Sequence, residues 1–410
     1  MAQSVWAFWL GGSVVRVGRA AALALCLGLA GCMSGKVAEP PSSQQAPAAE
    51  GPPLSAPTSP VTSEDLTPSL DDRIKVGLLL PLSGSSAKLG EALLHGAEMA
   101  LFETADDRLQ LLVKDTGGTP DGARVAAEAA IAEGARLILG PLFGPQVAAA
   151  GPVARAAAVP MVSFSTDLGV SGSGVWVMGI LPKIQVERVV GYTVSRGLRR
   201  VAVLAPATAY GDAVVNALYQ TAGRTGAAIG QIQRYAPDQT DLSPLVKALG
   251  RDMDAVLLPE GGNRVRVLGP LLAYHDIDPA QVKFLGTALW DDPTLGLEPA
   301  LIGGWFAAPD PASWAEFSRT YRDLYTQAPP RLATLAYDAT ALAAVLARSP
   351  AGPDFSPATL TQPNGFAGID GIFRLTQDGS VERGLAVLEV QREGPVVIDP
   401  APQTFEELGF

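Results

Sequence analysis

Val76-Gly-Leu-Leu-Leu80 and the fifteen or so residues around it constrain the fold more than any other stretch of the chain. The run is apolar without a break, which is the pattern of a strand buried on both faces in a parallel sheet. Pro81 stops it, Ser83-Gly-Ser-Ser86 makes a polar turn, and a helical pattern begins at Ala87. Strand, Ser/Gly turn and helix N-terminus in that order form a corner at the carboxyl end of an open α/β sheet, where ligands bind. The amide N–H groups of such a corner and the helix dipole favour a carboxylate or similar anion.

The same alternation recurs along the chain. Strands are predicted over Leu109–Asp115, Arg136–Gly140 and Val159–Ser165, with helices over 87–104, 120–133 and 146–157. After Gly179 the pattern restarts, with strands at Arg200–Ala205, 228–235, Asp254–Leu258 and Val282–Gly286. Helices near 184–196, 211–221, 242–249 and 263–274 alternate with them. Gly303–Ala308 is a further apolar segment, and helices follow over about 312–326 and 332–348. A hairpin-like pair, Gly371–Leu375 with Leu385–Val390, closes the pattern, with Gln377-Asp-Gly379 near its turn. Repeated βα units mean parallel, doubly wound sheets. A chain of 410 residues that is 48% hydrophobic is long enough for two such lobes with separate cores.

Charge and residue supply exclude several functions. The net charge of −11 argues against nucleic acid and against attraction to anionic headgroups. Both cysteines lie before residue 33, so the folded part has no disulfide and no thiol chemistry, and His95 and His275 are far apart in sequence. The sequence carries no Gly-rich phosphate loop with Lys-Ser/Thr, no Gly-x-Ser-x-Gly and no His-Glu-x-x-His. Gly169-Val-Ser-Gly-Ser-Gly174 has no helix pattern behind it and reads as a turn. The expectation is a non-enzyme without cofactor or metal.

The N-terminus reads as an export signal. Arg16 and Arg19 precede the short apolar run Ala20–Gly31, too short for a membrane span. Leu29-Ala-Gly-Cys32 resembles the bacterial lipobox, which implies cleavage before Cys32, lipidation of that Cys and attachment to a membrane. Met33 and Ser34 follow with no Asp directly after the Cys, which resembles the sorting pattern of outer-membrane lipoproteins. Residues 37–72 are rich in Pro, Ser and Ala and are expected to form a disordered tether reaching roughly 100 Å. The expected domains are a signal peptide (1–31), linker (32–73), lobe 1 (74–181 and 304–350), lobe 2 (182–303 and 351–400) and a tail (401–410).

Gly77-Leu-Leu-Leu-Pro-Leu-Ser-Gly84, Ile138-Leu-Gly-Pro141, Val159-Pro-Met-Val-Ser163, Ala209-Tyr-Gly211 and Gly304-Trp-Phe306, in that order, resemble the type I periplasmic-binding fold of leucine-binding proteins. The resemblance covers residues 74–400 and implies two Rossmann-like lobes joined by three crossovers, with a ligand cleft between them. A cleft for a small polar molecule needs hydroxyls, amides and an acid for any ammonium. Ser83, Ser85, Ser163, Ser165, Thr166 and Tyr210 fall at strand ends or helix starts where they would line it, and Glu260 and Asp291 are the candidate acids. Each hydroxyl is equally suited to capping a helix or a turn, and each acid to a solvated loop.

The sequence departs from amino-acid receptors after Gly140-Pro141, where Leu142-Phe143 supplies no hydroxyl. Phe143, Phe164 and Trp290 either narrow the cleft mouth or pack in the core, and core packing is the expectation. Leu78–Gly84, Gly140–Leu142 and Gly368-Ile-Asp-Gly-Ile-Phe-Arg-Leu-Thr-Gln-Asp-Gly379 also resemble the corresponding domain of penicillin-binding-protein activators, lipoproteins that stimulate a cell-wall synthase. The helical-repeat domain of the best-known members is absent from this sequence. Two readings therefore stand. The first is an activator acting by contact with a penicillin-binding protein. The alternative is the solute-binding subunit of an ABC importer, with a permease partner and an amino acid or similar small polar solute.

Overall fold

In the computed structural model the described residues are 73–104, 108–350 and 352–406. The signal peptide, Cys32 and the linker lie outside them, apart from Arg73. The first sheet has five parallel strands in the order β2-β1-β3-β4-β5. They are β1 (Ile74–Leu80), β2 (Leu109–Asp115), β3 (Leu137–Leu139), β4 (Met161–Ser163) and β5 (Val175–Val177). Val76 and Leu78 to Leu80 are wholly buried, as an apolar run in an interior parallel strand must be. Around the sheet lie α1 (Ala87–Thr104), α2 (Pro120–Ala132) and α3 (Gly144–Ala156). Thr119 caps α2 by accepting from Gly122 N, and Pro120 stands at its first turn, where a missing N–H costs nothing. Helix α1 sits down on the turn after β1: a Cβ at Gly90 would lie 2.1 Å from the Pro81 carbonyl oxygen.

The second sheet contains β6 (Arg200–Pro206), β7 (Ala228–Tyr235), β8 (Ala255–Leu257), β9 (Lys283–Gly286), β10 (Trp305–Ala308), β13 (Ala386–Glu389) and β14 (Val396–Asp399). Their order is β14-β13-β10-β9-β8-β6-β7. The strands β6 to β10 are parallel, whereas β13 runs antiparallel to β10 and to β14. Helices α4 (Pro182–Ser195), α5 (Ala209–Thr225), α6 (Ser243–Ala248) and α7 (Gly262–Tyr274) belong to this lobe. Helices α8 (Pro311–Tyr325) and α9 (Ala333–Ala347) return to pack on α1 in the first lobe, followed by the short α10 (Pro357–Leu360). All of α9 except Val345 is buried. That explains its nearly continuous apolar sequence, since a helix covered on every side needs no polar face.

The chain crosses between lobes three times, near Met178–Pro182, Pro309–Pro311 and Gly384–Leu385. The second and third crossings differ from the expected boundaries. Gly304-Trp-Phe does not begin the return to lobe 1, because β10 is hydrogen-bonded between β9 and β13 in the second sheet. Residues 352–383 do not belong to lobe 2. Pro353 O accepts from Arg136, and the hairpin β11 (Phe373–Leu375) with β12 (Val381–Arg383) is fastened to β5. The fastening is Trp176 Nε1 donating to Thr376 O at 2.9 Å and Val177 N donating to Gly379 O at 3.0 Å. The hairpin partner of Phe373–Leu375 is thus Val381–Arg383, while Leu385–Val390 feeds the other lobe. Among the described residues no helix is long and apolar enough to cross a membrane.

Candidate functional site

In both lobes the candidate residues stand at or just beyond the carboxyl ends of parallel strands, up to the first turn of the following helix. In lobe 1 the first βα turn already holds an anion of its own. The Asp115 carboxylate at the end of β2 accepts from the amides of Leu82 (2.9 Å), Ser83 (3.2 Å) and Gly117 (2.8 Å). The Ser83 hydroxyl bonds to it as well. Burial is the largest single influence on the Asp115 carboxyl and raises its pKa, but the Ser83 hydroxyl and the three amides together outweigh it and hold the carboxyl below the usual range. Because the folded pKa is depressed, this contribution to stability is present above the unfolded pKa and is lost as pH falls through the folded one. Asp115→Asn is expected to lower stability by about 1 kcal/mol at neutral pH, and less in acid. A thermal midpoint that tracks the parent at pH 7 would contradict this.

The other lobe 1 hydroxyls divide between scaffold and surface. Ser163 is buried and donates to Trp176 O at 3.0 Å, which ties β4 to β5. Ser165 is buried and accepts from Asp167 N at 3.0 Å, closing the next turn. Ser85 and Thr166 are exposed. Leu142 and Phe164 are buried, Phe143 is half exposed at the start of α3, and Trp290 is wholly buried. Phe164 and Trp290 therefore pack in the core, as expected.

Lobe 2 presents a row of connected polar groups. Tyr210, one residue into α5, donates its hydroxyl to Thr287 Oγ1 at 2.9 Å. Thr287 follows β9 and is fully buried. Tyr235, at the end of β7, donates to Glu260 Oε1 at 2.7 Å. Burial pushes the Tyr210 phenol up to about 12 against the lowering effect of Thr287, and the Glu260 charge adds to the rise. Burial, then the Glu260 hydrogen bond, pushes Tyr235 higher still. Both tyrosines are therefore neutral donors throughout the physiological range. Tyr235 and Thr287 were not among the sequence candidates, although each ends or follows a strand of the same sheet as Tyr210 and Glu260.

Among the described residues, cavities open between the lobes at two places. One, of about 650 Å³, is lined by Thr166, Asp167 and Leu168 from lobe 1 and by Lys183, Tyr210, Asp212 and Asn216 from lobe 2. The second, of about 560 Å³, is lined by Asp291, Trp314 and Arg331 among others. Thr166 and Tyr210 thus share one cavity and Asp291 lines the other. Ser83, Ser85, Ser163, Ser165 and Glu260 line neither. Arg331 had no signal in the sequence, since it precedes α9 in a Pro-rich connection. Among the described residues no cluster of three or more His, Cys, Asp or Glu is placed to hold a metal.

A family model described as periplasmic binding protein matches residues 73–395. No curated protein matches the chain. Solved structures with the same fold include a putative branched-chain amino acid ABC transporter protein from Rhodospirillum rubrum, 20% identical with TM-score 0.70. It is aligned over 80% of this chain and 100% of its own. An ABC transporter substrate-binding protein from Sphaerobacter thermophilus is 18% identical with TM-score 0.66, over 81% and 98%. A leucine-binding protein from Thermotoga maritima is 20% identical with TM-score 0.58, over 80% and 98%. At these identities the likeness is one of fold.

Proposed function

Since the chain belongs to the periplasmic binding protein family, we propose that it is a solute-binding protein that holds a small polar molecule between its lobes for an ABC permease. The family is one of exported binding proteins and not of enzymes. The observation that carries the reading is the 650 Å³ cavity, which Thr166 and Tyr210 line from opposite lobes. Its size suits a small ligand, and a ligand touching both walls favours the closed arrangement of the lobes. Tyr210 is held in place by Thr287 and stays a neutral hydroxyl, ready to orient a polar group. The similar proteins from Rhodospirillum rubrum and Sphaerobacter thermophilus carry ABC transporter names, which supports the same reading.

The test is calorimetric titration of the purified protein with amino acids and other small polar solutes. The solute that binds is expected to bind Tyr210→Ala at least tenfold more weakly, a loss of about 1.4 kcal/mol or more. Undiminished binding to that variant would remove the cavity from the account.

A second reading has one observation in its favour. Asp115 occupies the amides of the first turn, and the hydroxyls of Ser163 and Ser165 are engaged with backbone, so lobe 1 keeps few polar groups for a ligand. A protein acting by contact, as a penicillin-binding-protein activator does, has no need of them. This reading requires that no solute bind and that a penicillin-binding protein be retained on the immobilised chain. Lipidation of Cys32 and an outer-membrane location are part of the proposal under both readings.

A further inference from the structure

We propose that Asp291 and Arg331 form a latch across the second interlobe cavity, which shuts as the lobes close on a solute and so sets how long that solute is held. The inference rests on the solute-binding reading above and deepens it, since neither residue lines the cavity assigned to the solute. Asp291 belongs to lobe 2, in the turn after β9, and Arg331 to lobe 1, directly before α9. They line a cavity of about 560 Å³ together with Ile180 of the first crossover and Pro309 and Pro311 of the second. The latch therefore lies beside the hinge, where a rotation of the lobes moves the walls by a small distance.

Both partners are incomplete in the present arrangement. Arg331 Nε lies 3.9 Å from Asp291 Oδ2, about 1 Å beyond the length of a charge-assisted hydrogen bond. No donor among the described residues hydrogen-bonds the Asp291 carboxylate, whose side chain is 23% exposed. All three guanidinium nitrogens of Arg331 are shielded and make no hydrogen bond. Nη2 comes within 3.1 Å of Asp370 Oδ1, but that oxygen is also without a hydrogen bond, so the contact is one of charge alone. The Trp314 ring, 4.7 Å from the guanidinium, holds Arg331 on its own lobe. Burial raises the Asp291 carboxyl, Arg331 opposes the rise without cancelling it, and Asp370 and Asp292 add to it. That is the state of a carboxylate short of its counter-charge. Shielded polar groups without partners are costly, so closure has a gain built into it. An approach of about 1 Å gives Nε its acceptor and the carboxylate its donor. The turn that carries Asp291 also ties the latch to the solute. Thr287 accepts from the Tyr210 hydroxyl at 2.9 Å, and the Ala288 amide donates to Gln185 Oε1 of α4 at 2.8 Å. A solute that draws Tyr210 towards Thr166 thus carries Asp291 towards Arg331.

Two variants test the latch in opposite directions. Asp291→Asn keeps the shape and removes the charge, whereas Asp291→Glu keeps the charge and adds the reach of one methylene. Small-angle X-ray scattering of the whole unliganded protein needs no solute. The radius of gyration is expected to be smallest for Asp291→Glu, whose longer arm meets Arg331 before closure, and largest for Asp291→Asn. Equal radii for the parent and both variants would overturn the proposal. The second measurement is titration with each of the twenty L-amino acids, followed by the dissociation rate of any that binds. Asp291→Asn is expected to weaken it about tenfold, almost wholly through faster dissociation, and Asp291→Glu to restore it. A loss of packing alone would lower the thermal midpoint of both variants and leave dissociation unchanged, which also overturns the proposal. If no amino acid binds the parent, the solute-binding reading is what fails, and the order of the three radii still decides the latch. Should one variant fail to fold, the other is compared with the parent alone, with the same expected direction.

Discussion

At a pH above the raised pKa of its carboxyl, Asp338→Ala is expected to destabilise the protein by about 3–5 kcal/mol, because it leaves the Arg383 guanidinium buried without its counter-charge. The two side chains are fully buried, with Arg383 Nη1 at 3.6 Å from Asp338 Oδ2. Asp338 also accepts from Ile369 N at 2.7 Å, and Arg383 Nη2 donates to Met178 O at 3.4 Å. Arg383 stands at the end of β12, just before the third crossover, and Met178 begins the first. The pair therefore fastens two of the three connections between the lobes to α9. Replacing both partners with apolar residues, Asp338→Leu with Arg383→Met, is expected to restore much of the loss, since neither member of the pair is then left buried alone. Urea midpoints of the single and double variants decide the matter. Equal midpoints for Asp338→Ala and the parent would show that the pair carries no stability. Burial pushes the Asp338 carboxyl up, with Asp370 adding to the rise and Arg383 opposing it. The folded state then keeps a proton that the unfolded chain gives up, so this group's contribution falls as pH rises from the ordinary carboxylate range towards its raised pKa. Asp338→Asn is expected to flatten that part of the pH profile.

Trp290→Ala is expected to cost a similar amount, about 3–5 kcal/mol, by a different mechanism. The indole is wholly buried and lies at 6.5 Å, tilted, from the Phe306 ring of β10. The chain makes room for it with glycine. A Cβ at Gly286 would lie 2.1 Å from the indole and one at Gly304 2.7 Å, so each strand end comes too close for any side chain. Removing the indole opens a cavity between β9 and β10, directly under the turn that carries Thr287 and Asp291. Loss of stability is therefore expected to come with weaker solute binding in the cavity that Tyr210 lines, because Thr287 holds the Tyr210 hydroxyl. A variant with the parent's midpoint would mean that the surrounding residues collapse into the space.

Much of the fold was legible because its signals are local. Val76–Leu80, Leu109–Asp115 and the helix pattern over 87–104 are continuous stretches whose periodicity survives any tertiary arrangement, and they lie where the sequence places them. The errors arose where pairing is long-range. Nothing local in Trp305–Ala308 says which sheet it joins. Nothing local in Gly371–Leu375 says that Val381–Arg383 is its partner in preference to the more apolar Leu385–Val390.

The candidate site divides in the same way. Strand ends pointed to Tyr210 and Glu260, which the structure connects to Thr287 and Tyr235, but these partners lie 77 and 25 residues away. The Ser83 turn was read as a place for an external carboxylate. Its anion is instead Asp115, held by the pairing of β1 with β2, a fact of register and not of composition. Arg331 comes within 3.9 Å of Asp291 only because the chain crosses back between lobes.

The most direct test of the central claim is thermal unfolding of the purified protein against a panel of amino acids, short peptides, amines and other small polar solutes. A ligand at 100 times its Kd adds about 2.7 kcal/mol to stability. The account predicts a saturable upward shift of the midpoint with one chemical class, diminished in Tyr210→Ala. A midpoint unmoved across the panel, together with retention of a penicillin-binding protein on the immobilised chain, would contradict it.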